Sequence, residues 1–141
     1  MTNSGSEVRY EDMTDLLVAR VPELRKEIDE VRGWWAPDVP GQHVIYGDVL
    51  TPYLERLLQT GEHEERLRDL FTFLEELAEN PDVHVQEVVV VTILEYLLGH
   101  SPLFAKAREL MGPNTLAMSY GLEHWWQDFY DKNPHAKRPS S

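Results

Sequence analysis

The sequence predicts an all-α domain, a compact array of about six to seven helices with one helical hairpin at its centre. Three observations predict it. Apolar residues recur at the spacing of a single helix face in every long segment. Glycine and proline fall between those segments, at 36–42, Gly61, Pro81, Gly99 and 112–113. The chain has 141 residues, 42% of them apolar, enough for one core. The expected domain spans 8–131, between a flexible start over 1–7 and a flexible basic tail over 132–141.

Residues 10–20 form the first expected helix, and Pro22 opens a second, since proline is tolerated in a first helical turn. Leu24, Ile28, Val31 and Trp35 follow the i, i+4, i+7, i+11 spacing of one face, so Trp35 is expected in the core. The stretch Ala36-Pro37-Asp38-Val39-Pro40-Gly41-Gln42 breaks that helix, and 36–47 reads as a stiff loop. A third helix is expected over 48–59, with Leu50, Tyr53, Leu54, Leu57 and Leu58 as its apolar face and Gly61 as its end. The fourth, over 62–79, carries Leu67, Leu70, Phe71, Leu74, Leu77 and Ala78 on one side.

The fifth segment is ambiguous. Val88 to Val91 is β-branched and, taken alone, reads as a buried strand. It continues through Ile93-Leu94-Glu95-Tyr96-Leu97-Leu98 without a turn signal, longer than a normal strand, which favours helix. His84, Glu87 and Glu95 then share one narrow polar stripe on a helix that is otherwise mostly apolar, the pattern of a central element. Ser101-Pro102 is read as the N-cap and first residue of a sixth helix to Met111. A seventh carries Met118, Leu122, Trp125 and Phe129 at helical spacing until Asn133-Pro134 stops it.

Net charge bounds the partners. The formal charge is −12, and removing the +3 of the last ten residues leaves −15 on the rest. Such a surface repels nucleic acid and anionic membranes and attracts basic proteins. Acidity also serves plain solubility. No apolar stretch approaches the roughly 20 residues that span a bilayer. The absence of cysteine excludes disulfides and thiolate metal sites. With no secretion signal at Met1-Thr2-Asn3-Ser4-Gly5-Ser6-Glu7, a cytoplasmic location is the expectation.

Two resemblances add to this. The run from Leu74-Glu75-Glu76-Leu77-Ala78 through Asn80-Pro81-Asp82-Val83-His84-Val85-Gln86 to Val88-Val89-Val90 and Leu94 resembles a single HEAT-type helical hairpin. That family implies protein binding and nothing about catalysis, and one copy makes no solenoid. Across a wider span, Gly33-Trp34-Trp35, Pro40-Gly41-Gln42-His43, Tyr46-Gly47-Asp48-Val49-Leu50, Pro52-Tyr53-Leu54, Phe73-Leu74-Glu75-Glu76-Leu77-Ala78 and Met111-Gly112-Pro113 are similar to a family of small uncharacterised bacterial helical proteins. This likeness implies a stand-alone module over 8–129 and supplies no mechanism. Small acidic helical proteins of this kind are also similar to the immunity proteins of bacterial toxin systems.

Motifs for chemistry are absent. There is no His-Glu-x-x-His, no Gly-x-Ser-x-Gly and no glycine-rich phosphate loop. His84 with Glu87, and His124 with Asp128, have ligand-like spacing, but a metal site needs three or four converging groups. No catalytic residue, metal or cofactor is expected. The candidate binding residues fall in three groups. Trp34, His43, Tyr46 and Asp48 flank or occupy the 36–47 loop. Glu75, Glu76, Glu79, Asp82, His84 and Glu87 would build an acidic face on the hairpin. Trp126 lies about 100° from the Trp125 stripe. Trp34 and Trp126 either cover the core or stand exposed as anchors of the kind enriched at interface hot spots.

The leading expectation is an acidic protein-binding module, an inhibitor of the immunity type that neutralises a basic partner such as a nuclease toxin. The alternatives are a ligand binder or enzyme using His43, Tyr46 and Asp48, and a structural subunit that forms a homo-oligomer through exposed tryptophans.

Overall fold

A computed structural model describes residues 8–136. Seven continuous helices account for the described chain, and no strand occurs among the described residues. Helix α1 spans 10–20, a 3-10 turn Tyr10–Asp12 leading into Met13–Arg20. Helix α2 spans 22–35, with Pro22–Leu24 as its opening 3-10 turn and Arg25–Trp35 as its body. Helix α3 covers 42–60, α4 is Glu64–Ala78, α5 covers 83–98, α6 is Ser101–Leu110 and α7 is Pro113–Lys132.

The third helix starts earlier than its sequence predicts. It begins at Gln42, passes through a wide π-helical turn at Tyr46–Leu50 and continues as Thr51–Thr60. Only 36–41 is a loop. Pro52 explains the π turn: in a regular α-helix its ring crowds the carbonyl of residue 48, and a widened turn upstream relieves the clash. Gly47 marks a close approach, because a Cβ there would meet Thr92 Cγ2 at 3.0 Å. Gly61 ends α3 with φ +66, the left-handed geometry that glycine adopts freely.

Helix α5 is the central element. Val85, Val88, Val89, Ile93, Leu94 and Leu97 are all fully buried. Each contributes roughly 1.5–3 kcal/mol of transfer free energy. The β-branched run is helical but not regular: Val88–Leu94 forms a second π turn, facing the first. Branched side chains crowd the preceding helical turn, and widening the turn relieves this. Thr51 joins the two irregular turns, its single hydroxyl proton shared between Tyr46 O at 3.1 Å and Thr92 O at 3.3 Å.

The α4–α5 connection is a tight polar turn. Asn80 Oδ1 accepts from Asp82 N, Asp82 Oδ1 accepts from His84 N, and Gln86 Nε2 donates to Asn80 O. Asn80 Nδ2 also donates to Val8 O at 2.8 Å, tying the chain start to the hairpin. The core is continuous from Met13 through α2, α3, α4 and α5 to Phe104 and Ala107 of α6. In α7, Met118 and Leu122 pack against it.

Two core expectations fail at helix ends. Trp35 and Trp125 sit on the predicted stripes, yet they are 44% and 55% exposed. Each lies in the last turns of its helix, although Tyr130, farther along α7, is buried. Lys132, assigned from sequence to the tail, is helical and pairs with Asp128 at 3.1 Å. The predicted segment 1–7 and the end of the predicted tail, 137–141, lie outside the described residues.

Candidate functional site

The structure separates the predicted site residues into those consumed by the fold and those left on its surface. Tyr46 belongs to the fold. Its side chain is fully buried, its hydroxyl donates to Met13 O at 2.8 Å, and burial pushes its phenol pKa well up. It therefore cannot share a surface site with His43 and Asp48, and that predicted triplet is not assembled. His43 is exposed, with Nδ1 2.6 Å from Thr92 Oγ1 across the α3–α5 contact. Asp48 is exposed on the first π turn.

Of the predicted acidic face, half is structural. The Glu75 carboxylate receives four hydrogen bonds from the start of α7: Asn114 N and Nδ2 at 2.8 Å, and Thr115 N and Oγ1 at 2.9 Å. Burial alone would raise its pKa, but the bonds from Thr115 and Asn114 outweigh that and hold it below the ordinary value. Gly112, the residue before α7, has no side chain to cap the helix, and a Cβ there would lie 2.6 Å from Glu75 Cδ. Glu75 takes the place of the missing cap.

Glu76 is likewise occupied. It pairs with Arg20 of α1 at 2.5 Å, while that guanidinium lies 4.9 Å from the Phe73 ring centroid. Asp82 caps α5. Glu79 remains exposed, and so do His84 and Glu87, with His84 Nδ1 3.5 Å from Glu87 Oε1. On the predicted α5 stripe His84 and Glu87 are exposed and Glu95 is half-buried, and Val91 joins them as an exposed residue. Among the described residues, no three His, Asp or Glu side chains converge as metal ligands.

The largest exposed apolar side chains lie at two helix ends. Trp34 is 75% exposed, with Trp35 beside it and Val39 exposed in the following turn. That turn is held by Asp38 N donating to Trp35 O at 2.8 Å and by burial of Pro40. On α7, Trp125 stacks on Phe129 with centroids 5.6 Å apart, and Trp126 stacks on Tyr130 at 5.3 Å. Trp126 is half-buried, and its buried indole N–H has no hydrogen-bond partner among the described residues.

A family model for a domain of unknown function, DUF7674, matches residues 14–130. The chain belongs to the DUF7674 family. The matched span runs from α1 almost to the end of α7, so it takes in both aromatic helix ends and the hairpin between them. No curated protein and no solved structure matches this DUF7674 domain. No described helix is long and apolar enough to cross a membrane.

Sequence reasoning missed Trp35, Val39, Trp125 and Phe129 as surface groups. The available signal was position: each lies in the last turns of a helix or just beyond one. It also missed the network in which Glu23 accepts from Tyr53 at 2.6 Å and from Arg66 at 2.6 and 2.8 Å, joining α2, α3 and α4.

Proposed function

We propose that the chain is an acidic protein-binding module that holds a basic protein, as an inhibitor of the immunity type holds a toxin. A bacterial cytoplasmic setting belongs to the same proposal. The observation that carries it is the exposure of Trp34, at 75%, on a chain whose formal charge is −12. Tryptophan is costly to leave in water and is a preferred anchor at protein interfaces.

Charge supplies the complementary half of the reading. A nuclease site is basic because it holds phosphates, so an acidic surface can occupy it in their place. Negative charge speeds the encounter, and buried aromatic contact slows the escape. The family resemblance of the hairpin to protein-binding repeats points the same way.

The test is affinity capture from the native lysate at low and at high salt, with bound proteins identified by mass. A single basic protein held at low salt and released as salt rises is the expected result. No protein held at either salt, or acidic proteins held as well as basic ones, would contradict the proposal.

A further inference from the structure

We infer that the outer face of α2, from Glu27 through Trp34 to Asp38, receives an arginine-rich segment of the basic partner. This rests on the proposed function and adds a place and a chemistry to it. At about 100° per residue, Glu27, Glu30 and Trp34 fall within about 60° of one another around α2. All three are exposed, and Asp38 is exposed in the turn beyond. Arg25 and Arg32 project from the opposite side of the helix, and Lys26 borders the stripe.

These carboxylates are uncommitted. Among the described residues, Glu27, Glu30 and Asp38 have no ion pair, whereas Glu23, one turn earlier on the same face, is held by Arg66. The aromatic end of α7 differs in this respect: Glu123 holds Arg108 at 2.9 Å, Asp128 holds Lys132 at 3.1 Å, and Asp131 accepts from Gln127 at 2.9 Å. A basic segment therefore finds unneutralised charge beside Trp34 and mostly neutralised charge beside Trp125.

The ring chemistry suits the same place. Arginine guanidinium groups already lie over Phe73, Tyr53, Phe104 and Tyr120 within the chain, at 4.3–5.6 Å. Tryptophan is the best aromatic acceptor for a cation, yet no described cation lies over Trp34. Arginine suits the site better than lysine. Its planar, weakly hydrated guanidinium stacks on an indole and bridges a carboxylate with paired N–H groups.

The test titrates the isotope-labelled full chain with a short arginine–glycine repeat peptide, its lysine counterpart and a glutamate control, following the indole N–H signals of the four tryptophans. The expected result is that the arginine peptide moves the Trp34 signal most. Trp34→Ala then weakens binding about tenfold, and Glu27→Gln with Glu30→Gln lowers both affinity and its salt dependence. These positions are exposed, so the variants keep the wild-type circular dichroism spectrum. Shifts confined to Trp125 or Trp126, with Trp34→Ala binding as wild type, would overturn this surface and leave the binding-module reading standing. Equal affinity for the lysine peptide would overturn the choice of arginine. If no cationic peptide moves any indole signal at low salt, both the surface and the reading beneath it fall.

Discussion

Glu75→Ala removes a helix cap supplied from another helix, and its cost can be worked from four bonds. Two of them satisfy backbone N–H groups of Asn114 and Thr115 in the first turn of α7, and two engage the side chains of the same residues. Losing an N-cap side chain costs about 0.5–2 kcal/mol, and a hydrogen bond to a charged group contributes about 1.5–3 kcal/mol. Water reaches part of this half-exposed site, so the net loss is about 2–3 kcal/mol. With an unfolding entropy of about 2.1 cal/mol/K per residue, a chain of 141 residues loses about 7–10 °C in Tm.

The same variant carries a pH signature. The folded Glu75 pKa lies below its unfolded value, so its stabilisation is full above the unfolded value and disappears as pH falls through the folded one. Thermal and urea unfolding, followed by circular dichroism from neutral to acid pH, should show the gap between wild type and variant closing in acid. A Tm change under about 2 °C, or a gap that ignores pH, would refute the capping role.

Other substitutions test neighbouring parts of the structure. Gly112→Ala places a Cβ against Glu75 Cδ and should cost about 1–2 kcal/mol. In a double-mutant cycle with Glu75→Ala the two costs should fall short of their sum, since both remove one cap. Tyr46→Phe removes the side-chain donor from the buried Met13 carbonyl and should lower stability by about 1 kcal/mol in urea unfolding, while capture of the basic partner is unchanged. If capture fails at wild-type stability, Tyr46 acts in binding after all.

Helix content and order were legible because each apolar face repeats at helical spacing. Leu67, Leu70, Phe71, Leu74, Leu77 and Ala78 are all buried, as their periodicity requires. The start of α3 was not legible, because the stretch up to Gly47 read as a stiff loop. Gly47 is instead absorbed in a π turn, where it packs closely against Thr92 of α5, distant in sequence. Periodicity groups Trp35 and Trp125 with the apolar stripes of their helices but carries no information on whether a neighbour covers them.

The acidic candidates show a similar limit. Glu75 and Glu76 look like solvated surface beside Glu79, and only folding brings Asn114, Thr115 and Arg20 to them. Asp82 alone carried a local cue, since Asn-Pro-Asp before a helix is a capping sequence. For Trp34, the offset against the Leu24-Ile28-Val31 stripe left core cover and exposure both open, and the fold exposes it.

The association rate between the chain and its captured basic partner, measured across a salt series, tests the central claim most directly. Wild type should associate fast at low salt and progressively more slowly as salt rises. Glu27→Lys with Glu30→Lys should start slower and converge with wild type at high salt, where the field is screened. A rate indifferent to both salt and charge reversal would contradict recognition of a basic partner by this acidic surface.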